Sequence, residues 1–182
     1  WDHPQQSRPA QSRGSSRIRG NFMSKIFKYA DDVNTDVIFP GKYTYTITDR
    51  KDMAPHALED LDPEFVKTVK PGDVIVAGNN FGCGSSREQA PIAIKECGVK
   101  AIIAKSFARI FFRNAINEGL LALTIPELVD IAQKGDEIEI DIEKSQVKCR
   151  GKVFTYPSFA PEVAEILKLG GLVEYTKRKI GK

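Results

Sequence analysis

The chain has 182 residues, 41 % hydrophobic and 28 % charged, enough for one ordinary domain with a real core. No apolar run approaches the roughly 20 residues that span a bilayer, so no membrane segment is expected. The formal net charge of +3 lies wholly in residues 1–22, where Arg8, Arg13, Arg17 and Arg19 face Asp2 alone. The remainder is balanced, so charge gives no argument for a nucleic-acid partner.

Residues 1–22 are rich in Gln, Ser, Arg, Pro and Gly and read as a disordered leader. They lack the apolar stretch of a secretory signal. Their Arg- and Ser-rich, acid-poor composition resembles an organelle transit peptide, but Met23 opens a strand-like run and is the more natural start. The leader is therefore expected to be vector-derived, with residues 23–182 forming a single domain.

Lys25 to Tyr29 reads as a short strand, followed by the polar turn Asp31–Asp36 and the apolar Val37-Ile38-Phe39. Pro40-Gly41 punctuates a loop. Lys42 to Asp49, rich in Tyr and Thr, reads as an exposed strand or a mobile loop. Short helices are expected at Met53–Leu61 and Pro63–Val69. Pro71-Gly72-Asp73 then turns into the strand Val74–Ala77.

Beyond Ala77 the pattern is regular. Asn79 to Arg87 is a glycine-rich turn, and a helix Arg87–Cys97 ends at Gly98. Strand Ala101–Ala104, helix Phe107–Glu118 and strand Leu121–Ile125 follow. Strand–helix alternation with short links predicts right-handed βαβ units and a parallel sheet. Continuous apolar strands suit burial on both faces. Glu137 to Ile142 alternates with period two, and Val147 to Phe154 returns after Lys144-Ser145-Gln146, predicting an antiparallel hairpin. A helix Phe159–Leu169 closes the domain, and Lys177–Lys182 is expected to fray. The fold class is α/β, with a parallel core and an added antiparallel hairpin.

Cys83, Cys97 and Cys149 are widely spaced, with no Cys-x-x-Cys pair, so no metal site is expected on this chain. An odd count without a signal favours a reducing, cytoplasmic compartment. His3 and His56 are the only histidines, and His3 lies in the leader, which argues against a Ser-His-Asp triad.

The turn Asn79 to Glu88 carries the chemistry. A strand, a glycine-rich turn and a helix start in that order favour an anion. Ser85-x-x-Glu88 also fits a capping box, in which Ser85 merely starts the helix. Gly82-x-Gly84 lacks the third glycine of a dinucleotide site, and no Gly-Lys-Ser/Thr follows. Cys83 near a helix start could be an activated thiol, but no histidine neighbours it in sequence.

Phe81-Gly82-Cys83-Gly84-Ser85-Ser86-Arg87-Glu88 as a whole resembles the signature of the 3-isopropylmalate dehydratase small subunits, in the aconitase superfamily. Asn34-Thr35-Asp36-Val37-Ile38-Phe39-Pro40 and the stretch from Ala104 to Asn114 match two further motifs of that family, in its order. The resemblance covers about Lys25 to Tyr175. It implies the swivelling β/β/α domain, which corresponds to the fourth domain of aconitase. It also implies a large-subunit partner, in a heterodimer or heterotetramer, that carries a [4Fe–4S] cluster. The implied reaction isomerises 2- and 3-isopropylmalate, small dicarboxylates of leucine biosynthesis, by dehydration and rehydration.

The resemblance makes Ser85 the catalytic base and Asp36 a catalytic-site carboxylate that orients the polar network. Read without it, Asp36 is an Asx-turn residue. Arg87 would grip a substrate carboxylate, which bidentate geometry suits, and Ser86 would add a hydroxyl. The loop after Pro40 would face the variable substrate group through Thr44 and Tyr45. Its lack of charge beyond Lys42 argues against an extra carboxylate there, as in homoaconitase-type relatives. Thr44-Tyr45 stands where relatives often carry Leu and Val or Met, which leaves dimethylmalate or methylmalate types as alternatives. A non-catalytic anion-binding module is the rival from another class. Arg109 and Arg113 are read as an arginine pair at the rim of a core helix or at the subunit interface.

Overall fold

The computed structural model describes residues 23–181; the expected leader 1–22 lies outside the described residues. Strands β1 (Ser24–Lys28), β2 (Val74–Ala77), β3 (Ala101–Ala104) and β4 (Leu121–Thr124) pair in parallel. Strands β5 (Glu137–Asp141), β6 (Gln146–Cys149) and β7 (Lys152–Thr155) add an antiparallel meander beside β1. The sheet order is β4-β3-β2-β1-β5-β6-β7.

Helices α1 (Thr35–Ile38), α2 (Arg50–Met53) and α3 (Phe65–Thr68) lie between β1 and β2, α4 (Gln89–Glu96) between β2 and β3, and α5 (Arg109–Asn117) between β3 and β4. Helix α6 (Pro126–Ile131) precedes β5, and α7 (Pro161–Leu169) and α8 (Leu172–Lys179) close the chain. Among the described residues no helix is long and apolar enough to cross a membrane.

Two apolar layers sandwich the parallel strands. Phe27, Ile75, Ala77, Ile102, Ala104 and Ala122 face the layer built with α1 to α5. Their alternating neighbours Ile26, Val74, Val76, Ala101, Ile103 and Leu121 face a second layer closed by α6 and the meander. Consecutive strands joined by right-handed crossovers carry their helices on one face, which leaves the other for the curled meander. Period-two alternation in β5 and β6 sends Ile138, Ile140, Val147 and Cys149 inward and Glu137, Glu139 and Lys148 outward.

Several local expectations change. Ser85 does not cap a helix: α4 begins at Gln89 with Glu88 as its N-cap, and no side-chain cap bond forms. The Ser85 carbonyl instead accepts from the Thr35 hydroxyl at 2.7 Å, which holds the segment off the helix. The return strand Val147–Phe154 is split at Arg150 and Gly151, whose φ angles of 50° and 74° make the tight two-residue turn between β6 and β7. The helix expected at Met53–Leu61 shrinks to single turns, because buried Leu58 adopts φ 57°, and the one expected at Pro63–Val69 shortens to α3. Of the end expected to fray, Lys177–Lys179 belong to helix α8, which is packed on α7 and tied to it by Tyr175 and Glu162.

Candidate functional site

The site forms where loops leave the carboxyl ends of β1, β2 and β3, the edge at which open parallel sheets place their ligands. Backbone pairing sews the three loops together. The Thr35 amide donates to the Cys83 carbonyl at 2.8 Å, and the Gly82 amide to the Val33 carbonyl at 2.8 Å. On the other side, the Phe81 amide donates to Ser106 at 3.0 Å and the Ala108 amide to Phe81 at 2.9 Å. Asp31 and Asp32 brace the turn further, accepting from the Asn79 amide and the Asn80 side chain.

Gly82 sits at φ +81°, and a Cβ there would lie 2.1 Å from Phe111 Cγ. The turn therefore rests directly on the aromatic group of Phe81, Phe107 and Phe111, whose edge-on contacts fix α5 against it. Gly82 and Gly84, both with positive φ, carry the chain so that Ser85 and Ser86 are exposed to a cavity.

Arg87 is only 18 % exposed and its guanidinium is held from two sides. Nη2 pairs with Asp36 Oδ1 at 2.5 Å, and Nη1 donates to the Thr44 hydroxyl at 3.1 Å. The Gly41 backbone packs against the same guanidinium; a Cβ at Gly41 would lie 2.7 Å from Nη1. Asp36 lies in the first turn of α1, which is capped by the Asn34 side chain on the Val37 amide at 2.9 Å. The local capping is thus done by Asn34, and the Asp36 carboxylate is turned to Arg87.

The cavity has a volume of about 450 Å³, within the range of small-ligand sites. Ser85, Ser86 and Arg87 line one wall, and Arg109, Ile110, Arg113 and Asn114 of α5 line the other. Of the residues singled out in the sequence, Ser85, Ser86 and Arg87 come together, and Asp36 and Thr44 join them through Arg87. Tyr45 does not: it is 93 % exposed and lies outside the cavity wall. The arginines and Asn114 on the facing wall are additions: the sequence reading set the arginine pair at the rim of a core helix or at the subunit interface and gave Asn114 no role. Their signal was an arginine pair four residues apart in a helix without any acidic residue.

The thiols do not gather. Cys83 lies in the turn, Cys97 caps α4 and Cys149 lies on β6 in the opposite apolar layer. Burial, with Glu96 adding, pushes the Cys97 thiol up to about 11, and burial also raises Cys149. Among the described residues no group of three or more His, Cys, Asp or Glu side chains is placed to hold a metal. The described residues therefore offer no ligand set that fits an iron–sulfur cluster.

A family model described as the aconitase C-terminal domain matches residues 13–128. The 3-isopropylmalate dehydratase small subunit of Thermodesulfovibrio yellowstonii is 51 % identical over 158 residues, covering 86 % of this chain and 94 % of that protein. The methanogen homoaconitase small subunit of Methanocaldococcus jannaschii is 53 % identical over 157 residues, covering 85 % and 91 %. A crystal structure of 3-isopropylmalate dehydratase from Methanocaldococcus jannaschii superposes with a TM-score of 0.80 at 49 % identity, covering 86 % of this chain and 93 % of that one.

Proposed function

The chain belongs to the aconitase C-terminal domain family and, within it, to the 3-isopropylmalate dehydratase small subunits; from that premise we propose that it is the half of a cytoplasmic hydro-lyase that supplies the base and a carboxylate clamp. The substrate is 2-isopropylmalate, and a large subunit completes the site. One observation carries the reading: Ser85, Ser86 and an Arg87 fixed by Asp36 and Thr44 share one cavity wall at the carboxyl edge of the sheet.

The reaction removes a proton next to a carboxylate and later returns it. Ser85 Oγ is the proposed acceptor. A serine hydroxyl is an intrinsically weak base, so its ionised form needs preorganised donors close by. The amides of Ser86 and Arg87 suit that task, since neither donates to a backbone carbonyl among the described residues. Arg87, braced from behind, presents its remaining N–H groups to a substrate carboxylate without having to reorganise. A cluster held by the large subunit, as the family resemblance implies, would supply Lewis acidity to the reaction, and no residue described on this chain would hold it.

The relatives do not choose between substrates by identity, since the homoaconitase subunit at 53 % matches as well as the dehydratase subunit at 51 %. The loop that holds Arg87 favours the smaller diacid, because Thr44, its contact to Arg87, carries no charge. The test is reconstitution with the cluster-loaded large subunit and a screen of 2-isopropylmalate, cis-homoaconitate, dimethylmalate and methylmalate. The highest kcat/KM is expected for 2-isopropylmalate. Preference for cis-homoaconitate would move the chain to the homoaconitase type, and turnover of none of them would leave only the anion-binding module.

A further inference from the structure

We propose that Arg109 and Arg113 of α5 form a second carboxylate clamp, facing Arg87 across the cavity and holding the other end of the dicarboxylate. The inference rests on the hydro-lyase reading of the Ser85 wall and names the residues that complete its charge balance. A dicarboxylate brings two negative charges. Arg87 alone does not neutralise them, because Asp36 already cancels its charge at 2.5 Å. Arg109 and Arg113 add two positive charges, and no carboxylate lines the cavity wall.

Both arginines are exposed at the cavity wall. Neither guanidinium has an ion-pair partner among the described residues. Arg109 opens α5 at the positive end of the helix dipole, where a cation is disfavoured, and the helix has no acidic residue in its first turn. The two arginines are one turn apart on the same helix face, an arrangement that like charges disfavour. Both features work against the helix, and an anion seated between Arg109, Arg113 and Asn114 would relieve them. Asn114, also on this wall, adds an amide donor. Two planar guanidiniums one turn apart can grip a carboxylate with directed N–H bonds, as an ammonium does not.

The test uses the reconstituted complex with R109Q, R113Q and the double variant. For the double variant KM for 2-isopropylmalate is expected to rise about 10- to 100-fold, the loss of one charge-assisted carboxylate contact, with the affinity for the large subunit unchanged. A KM within twofold of the unmodified complex overturns the proposal. So does weakened subunit association with a normal KM at saturating large subunit, which would assign the pair to a protein–protein surface. A second readout does not depend on turnover. Modification of Arg109 and Arg113 by phenylglyoxal, followed by mass spectrometry of the complex, is expected to slow several-fold with malate and not with butyrate. Protection in a complex that turns over no diacid would keep the clamp and sink the hydro-lyase reading. Equal rates with malate and butyrate would sink the clamp.

Discussion

Gly82 shows at one residue why the site turn has its composition. A methyl group there would meet Phe111 Cγ at 2.1 Å, and the backbone is left-handed besides. Gly135 has a similar φ of +84° but nothing within 4 Å of an added Cβ. Gly82→Ala is therefore expected to lower stability by about 2–5 kcal/mol, from left-handed strain plus overpacking. Gly135→Ala is expected to lose only the strain, about 1–2 kcal/mol. Urea unfolding of the two variants side by side checks the difference. Ser85 stands out in the sequence through its motif and does line the cavity, but its local geometry was not legible. The spacing to Glu88 suggested a cap, whereas a bond from Thr35, 50 residues away, decides its conformation. The Asp36–Arg87–Thr44 bracket was hidden for the same reason, since its partners meet only when loops from different strands converge. Tyr45 was placed by loop resemblance alone, and no packing partner draws it into the cavity.

Among the elements, the parallel strands were the easiest to read. β2 and β3 are unbroken apolar runs bounded by glycine and polar turns, and their observed bounds match the expected ones. Short or polar elements were harder. α8 presents Glu174, Lys177, Arg178 and Lys179, offers no buried residue and forms by packing against α7. The β6–β7 turn places Arg150, a non-glycine residue, at positive φ, against its propensity. α4 also shows how helix ends are joined beneath the site. The Lys95 ammonium donates to the carbonyls of Glu118 and Gly170, at the carboxyl ends of α5 and α7. Both carbonyls gain a charged donor where the helix dipole favours one. Lys95→Met keeps the apolar stem and removes that donor. Its expected effect is a loss of about 1–3 kcal/mol, read by thermal unfolding. Unchanged stability would show that water serves the two carbonyls equally well.

On the scale of the whole molecule, the proposed function makes the arrangement half of an active site. The parallel sheet lines up three loops, the aromatic group under Gly82 seats α5 opposite them, and the cavity between the two walls is open and rich in guanidinium groups. On the proposed reading that architecture orients an acidic substrate and offers a base, while the thiols among the described residues are too dispersed to hold a cluster. The large subunit is what the reading requires to close the cavity. The Ser85 hydroxyl is the central claim, and replacing it in the assembled complex tests it most directly. With the large subunit saturating and association unchanged, Ser85→Ala is expected to lower kcat for 2-isopropylmalate by about 10²- to 10⁴-fold, the loss of a positioned proton acceptor. A loss of less than about 10-fold would contradict the account and return Ser85 to a structural role in the turn.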